Sequence, residues 1–296
     1  MKGKLPRATI QATFQPEVQG EGVGAKVRRV IGTQSIRNLD PFLMLDYFRV
    51  RLPSGFPDHP HRGFETVTYM KQGSILHEDF KGHKGQLGPG DVQWMTAGKG
   101  IVHAEMPGSK TEDSVGFQLW LNLAKKDKLT DPQYQEFKKA DIPHVKQEGL
   151  EAQVISGEVL GVKGVITART PTHYIDFRLQ PKAQYSHTVP AHWNAFIFIY
   201  NGAVRVNDSE YSQDTAVFFK SQKEDSVVDF VGCDSAAEFI WVSGKPIGEQ
   251  VVQYGPFVMN TQAEIEQAFK DYQRGEDGFE NNKQWQSEIQ NLSFEK

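Results

Sequence analysis

Cysteine is nearly absent: the 296 residues include one, Cys233. A single thiol cannot close an intramolecular disulfide, so the chain reads as an intracellular protein held by its core, and Cys233, with no activating neighbour in sequence, reads as inert. No apolar run approaches the ~18 residues needed to cross a bilayer, and the N-terminus lacks the apolar core of a secretory signal, so no membrane role is expected. Charge of one sign is missing too. Lys and Arg number 33 against 37 Asp and Glu, a formal net charge of −4. With no long run of either sign, direct nucleic-acid binding is not expected. What is present is 38% hydrophobic, 11% aromatic and 24% charged residues, the composition of a folded soluble chain. At ~100–200 residues per domain, this length predicts two domains.

Most of the chain reads as short strands between turn residues. Residues 65–70 are rich in β-branched and aromatic side chains and stop at Gly73. Residues 91–96 alternate apolar and polar positions after the turn 88–90. In residues 116–123, Phe117, Leu119, Leu121 and Leu123 share one face at period two, with Gln118, Trp120 and Asn122 opposite. Residues 124–145 are charged and contain Pro132 and Pro143, which predicts a linker carrying a short helix. Beyond it the strand pattern resumes at 174–179, 195–200, 203–206, 215–219 and 238–242, and the order strand, glycine turn, strand recurs on both sides. The reading is all-β, with two similar domains over 1–130 and 131–296. A C-terminal helix is predicted from Thr261 and Glu264 as a capping box, Ile265, Ala268, Phe269 and Tyr272 as its apolar face, and Gly275 as its stop.

Two clusters could carry chemistry. In the segment 56–65, His59 and His61 stand at i and i+2, so an extended strand presents both imidazoles to one side. In the segment 97–107, His103 and Glu105 have the same spacing. Each pair alone has an ordinary reading, as turn histidines or as a core histidine with a solvated acid. Two pairs in one strand-rich region favour convergence on a metal. Three imidazoles and a carboxylate form a mixed nitrogen and oxygen shell that suits Fe(II) and accommodates Mn, Co, Ni, Cu or Zn. His77 and His83 read as residues of a solvated glycine-rich loop, and His187 and His192 lack ligand spacing, so the second domain is expected to be metal-free. Trp94 and Phe56 are candidates for pocket walls or for the core. Lys26, Arg28 and Arg29 read as a solvated strand edge.

The blocks 38–43, 56–66, 77–80, 93–98 and 103–107 resemble the signature segments of the pirin family, which are bicupins. The resemblance continues through 132–136, 154–158 and 254–261, and so spans nearly the whole chain. It implies two jelly-roll β-domains and one iron ion (Fe2+/Fe3+) per chain on His59, His61, His103 and Glu105. Glu65, a ligand position in many cupins, is left out. It further implies quercetin 2,3-dioxygenase activity, in which O₂ opens a small planar phenolic substrate, a flavonol, with release of carbon monoxide. Glu105 is then the candidate catalytic base. The family's second role is that of a nuclear redox-sensitive co-regulator that binds transcription factors, which would place the chain in cytoplasm and nucleus. A metal-bound scaffold with neither activity is a third reading, and a monomer is expected.

Overall fold

The computed structural model describes residues 5–293. It forms two compact units, each built from a seven-stranded and a four-stranded antiparallel sheet. In one unit the larger sheet runs Gln133–Phe137, Val92–Thr96, Phe64–Gln72, Ser114–Asn122, Phe42–Val50, Ala25–Ile31, Val18–Glu21. Its smaller sheet runs Phe56–His61, Ile101–Pro107, Ile75–Asp79, Lys84–Leu87. The other unit repeats the scheme, with its larger sheet running Ile10–Phe14, Thr215–Phe219, Asn194–Asn201, Ala237–Gly244, Thr172–Leu179, Leu150–Ser156, His144–Gln147. Its smaller sheet runs Gln184–Val189, Ser226–Gly232, Ala203–Val206, Ser209–Ser212. This is the all-β architecture of two similar domains expected from the strand pattern, and the bicupin arrangement that the pirin resemblance implies. The repeated turns coincide as well: Gly73 and Gly202 end matching strands at φ of 66° and 72°. A Cβ at either would strike a backbone carbonyl oxygen, at 2.5 Å and 2.3 Å respectively.

The units are not the contiguous halves 1–130 and 131–296. Residues up to Pro16 belong with Ala140–Pro246, and residues from Ile247 onward belong with Glu17–Lys139. Each exchange has a local cause. Ile10–Phe14 covers a sheet edge by pairing with Thr215–Phe219, which satisfies backbone groups that an open edge leaves unpaired. The C-terminal helix, Gln262–Arg274, buries Ile265 and Ala268 in a cluster with Met95, Ile101 and Phe257. Its capping box closes as predicted: the Thr261 side chain accepts from the Glu264 N–H, and Gly275 ends the helix in the left-handed region at φ 74°.

The linker reading needs correction as well. Within 124–145 the helical content is two short 3-10 turns, Lys125–Asp127 and Lys139–Asp141, and between them Gln133–Phe137 is a strand. It pairs with Val92–Thr96, which turns its Tyr134 toward the cluster beneath the C-terminal helix. That pairing is supplied by a distant partner, so the local charge pattern could not announce it. Ala25–Ile31 is likewise no sheet edge, because Val18–Glu21 pairs outside it. Its Arg29 is bound to Asp46 at 2.7 Å and to Glu21 at 2.5 Å.

Candidate metal centre

The two histidine clusters meet because their strands are neighbours. Phe56–His61 pairs antiparallel with Ile101–Pro107, placing His59 directly opposite His103. A register shift between His103 and Glu105 puts Glu105 opposite Phe56, and such bulges re-aim side chains. The rings of His59 and His103 lie 4.4 Å apart, those of His59 and His61 4.7 Å, and those of His61 and His103 5.0 Å. One nitrogen from each of the three lies within 4.8 Å of the others. Among the described residues this is the one such group of three or more histidine, cysteine or acidic side chains.

The surroundings prepare these rings for a cation. His59 Nδ1 lies 2.8 Å from the Pro57 carbonyl, which can only accept, so Nδ1 carries the hydrogen and Nε2 keeps its lone pair. His61 and His103 are 2% and 1% exposed, and each buries a ring nitrogen, Nδ1 of His61 and Nε2 of His103, with no hydrogen-bond partner. A buried orphan of this kind costs about 1–3 kcal/mol. Burial first, and then the neighbouring imidazoles, hold both rings well below the ordinary histidine range and keep them neutral, the form that ligates. Edge-on contacts with Phe64 at 5.1 Å and Trp120 at 5.2 Å fix the His61 plane. Converging lone pairs without a hydrogen-bond partner fit a divalent transition-metal ion.

Glu105 faces the same cavity but stands outside the tight imidazole group. Its Oε1 lies 2.9 Å from Thr68 Oγ1, and its Oε2 accepts from Gln118 Nε2 at 2.9 Å. Glu65 points elsewhere: it is 1% exposed, accepts from the Thr96 hydroxyl at 2.7 Å and does not line the cavity. The cavity holds about 720 Å³, within the range of small-molecule sites, and its walls include Val27, Phe48, Phe56 and Trp120. Trp94 belongs to the buried core and not to these walls. His77 is not in a loop: it lies in Ile75–Asp79, is 5% exposed, and places Nε2 3.0 Å from Glu136 Oε2. Cys233 has its thiol pushed up, chiefly by burial, away from the reactive thiolate.

Next to His61, Arg62 anchors the strand end. It is 3% exposed, its Nη1 donates to Asp271 of the C-terminal helix at 2.6 Å, and its Nη2 donates to the Asp277 carbonyl at 2.6 Å. Its Nε donates to the Lys99 carbonyl, and its guanidinium lies over the Phe279 ring at 4.8 Å. The next residue, Gly63, has φ +87°, and a Cβ there would fall 2.0 Å from the Val258 carbonyl oxygen. Lys128 closes the same joint, donating to the carbonyls of Gly63 and Val258 and to the Asn122 side chain.

Residues 24–121 match the family model described as Pirin, and residues 174–278 match the one described as Pirin C-terminal cupin domain. The chain belongs to the pirin family. It is 47% identical to a pirin-like protein of Solanum lycopersicum, covering 95% of this chain and 97% of that one. With the pirin of Homo sapiens it shares 48% identity, over 92% and 95% of the two chains. A crystal structure of a quercetin 2,3-dioxygenase from Acinetobacter baumannii superposes with a TM-score of 0.83 at 33% identity, covering 91% of this chain and 98% of that one.

The second cupin unit of this pirin family member treats the matching strands differently. Gln184–Val189 and Ser226–Gly232 place His187 opposite Val228, with Phe230 two residues on. Trp241 and Phe177 pack on the His187 ring at 4.7 Å and 5.6 Å, and burial depresses that imidazole to about 3. Where the first unit gathers three imidazoles, this strand pair offers one, packed between apolar rings and hydrogen-bonded through Nδ1 to the Tyr185 hydroxyl at 3.0 Å.

Proposed function

We propose that this chain binds one iron ion on His59, His61, His103 and Glu105, and opens flavonols such as quercetin with O₂, releasing carbon monoxide. The observation that carries this reading is the convergence of three imidazoles, His59, His61 and His103, beside an aromatic-walled cavity of about 720 Å³. Its similarity to a protein described as a quercetin 2,3-dioxygenase supports the choice of reaction. When bound, such an ion supplies Lewis acidity toward a phenolic oxygen and redox contact with O₂. The chain supplies the rest. Phe48, Phe56 and Trp120 offer flat apolar surface to a planar ring system and displace water from it. The Glu105 carboxylate, on the same cavity, is the acceptor for the phenolic proton.

The test is an aerobic assay of metal-defined protein with quercetin, following ring opening and carbon monoxide together. Stoichiometric carbon monoxide from iron-loaded protein, abolished in His61→Ala, supports the reading. Fully iron-loaded protein without flavonol turnover overturns the enzyme assignment. The co-regulator reading gains no comparable support. Of the basic residues Lys26, Arg28 and Arg29, which could form a partner surface near the site, Arg29 is committed to Asp46 and Glu21 and lines the cavity.

A further inference from the structure

Glu105 differs from the three imidazoles in how it is held. Their orientation comes from burial, ring contacts and, for His59, the Pro57 carbonyl; its orientation comes from two side chains of the opposite sheet. Thr68 on Phe64–Gln72 and Gln118 on Ser114–Asn122 are directly paired across the larger sheet, while Glu105 belongs to the smaller one. The three side chains close a ring. Thr68 Oγ1 lies 2.9 Å from Glu105 Oε1 and 2.8 Å from Gln118 Oε1, and Gln118 Nε2 donates to Glu105 Oε2 at 2.9 Å.

This ring has a fixed sense. Flipping the Gln118 amide would set its oxygen against Glu105 Oε2, two acceptors face to face. The single hydroxyl hydrogen of Thr68 is shared between two acceptor oxygens, so removing either Thr68 or Gln118 releases the whole arrangement. Each Glu105 oxygen is engaged on one side only and retains a second lone-pair direction. A glutamate side chain has three torsions to order, and at Glu105 the ring orders them before any ion arrives.

We propose that Thr68 and Gln118 are positioning residues of the metal centre: by clamping the Glu105 carboxylate they present it as the fourth ligand and set the affinity of the site. The proposal rests on the metal-centre reading above. It makes these two residues, neither of them a ligand, determinants of metal retention.

The experiment measures Co(II) and anaerobic Fe(II) affinity by competition with a chromophoric chelator, together with the visible spectrum of the cobalt protein. The chains are wild type, Thr68→Val, Thr68→Ser, Gln118→Leu, the Thr68→Val/Gln118→Leu double variant and His61→Ala. Thr68→Val and Gln118→Leu should each weaken binding about 10–100-fold, the usual effect of losing a hydrogen bond to a ligand. The double variant should lose little more than either single change, because one break already opens the ring. Thr68→Ser keeps the hydroxyl and should regain both the affinity and the cobalt spectrum. Wild-type affinity and spectrum in Thr68→Val and Gln118→Leu overturn the proposal. Additive losses without rescue by Thr68→Ser overturn it too, since they would reflect packing. Undiminished binding in His61→Ala instead overturns the metal-centre reading beneath it.

Discussion

Replacing Asp271 with asparagine removes one charge from the helix Gln262–Arg274 and tests how that helix holds the strand Phe56–His61. Asp271 Oδ2 receives Arg62 Nη1 at 2.6 Å, and both side chains are 4% exposed. Asp271 is the carboxylate paired with Arg62; the guanidinium's remaining contacts are the Lys99 and Asp277 carbonyls and the Phe279 ring. The variant therefore leaves a buried cation without its counter-charge, a defect that costs about 3–5 kcal/mol in buried pairs. Hydrogen exchange should show segments 56–64 and 262–279 opening together, with protection reduced about 10²–10³-fold, the equivalent of that energy at about 1.4 kcal/mol per decade. Arg62→Met combined with Asp271→Leu should recover most of the loss, because two apolar side chains of similar size leave no charge stranded. The reasoning fails if Asp271→Asn costs less than about 1 kcal/mol, the worth of an exposed pair. It also fails if the double variant is as unstable as the single one, since shape and not charge would then be what the pair provides.

Elemental analysis should find about one divalent ion per chain, sharply reduced in His61→Ala and unchanged in His192→Ala; two ions per chain would point to an unrecognised site. Assayed at saturating iron, Glu105→Gln should lower flavonol turnover by about 10²–10⁴-fold and weaken metal binding at least as much as Thr68→Val does, and full turnover in that protein would remove Glu105 as the base. Gly63→Ala should unfold the strand end or force it apart from Phe257–Met259, because its Cβ would meet the Val258 carbonyl at 2.0 Å; a wild-type melting curve would refute this. His187 should give its unit an acid limb. Its imidazole is depressed from 6.5 to about 3, so the stability it contributes is present above pH 6.5 and lost as the unfolded chain takes up a proton on acidification. The loss should reach about 4 kcal/mol by pH 3 and be absent in His187→Phe, measured by urea unfolding across that range.

The parts of this fold that were legible in the sequence are those decided within a few residues. Alternation in 116–123 separates Phe117, Leu119 and Leu121, all fully buried, from Gln118 and Trp120 on the cavity. Thr261, Glu264 and Gly275 act on their own helix ends, so their types and spacing suffice to place them. His59, His61, His103 and Glu105 were legible as pairs because the period of a strand puts i and i+2 on one side. The remainder depends on partners far along the chain. Gln133–Phe137 becomes a strand because Val92–Thr96 offers it an edge, and the charged residues around it carry no trace of that. His77 is buried because Ile75–Asp79 pairs with Ile101–Pro107, whereas its local motif reads as a loop. Arg62 looks like one more surface arginine until a helix 209 residues away supplies its carboxylate.

Thr68 and Gln118 were missed for a more instructive reason. Threonine in a β-branched run and glutamine in an alternating strand are each accounted for by ordinary strand chemistry, so neither stands out as a motif. Their significance arises from cross-strand register, which places them side by side and opposite Glu105. The two units show how much such details decide. Apart from the edge strands Gln133–Phe137 and Ile10–Phe14, both order their strands alike, and in both the smaller sheet begins with the same two-strand ribbon. In one, that ribbon carries His59, His61, His103 and Glu105, and neighbouring strands supply the hydroxyl and amide that hold the carboxylate. In the other it carries His187 with Val228 and Phe230, and Phe177 and Trp241 pack on the imidazole. A shared backbone thus accommodates either a polar cluster suited to an ion or an apolar core. The choice between them lies in about half a dozen side chains whose local sequence contexts look equally strand-like.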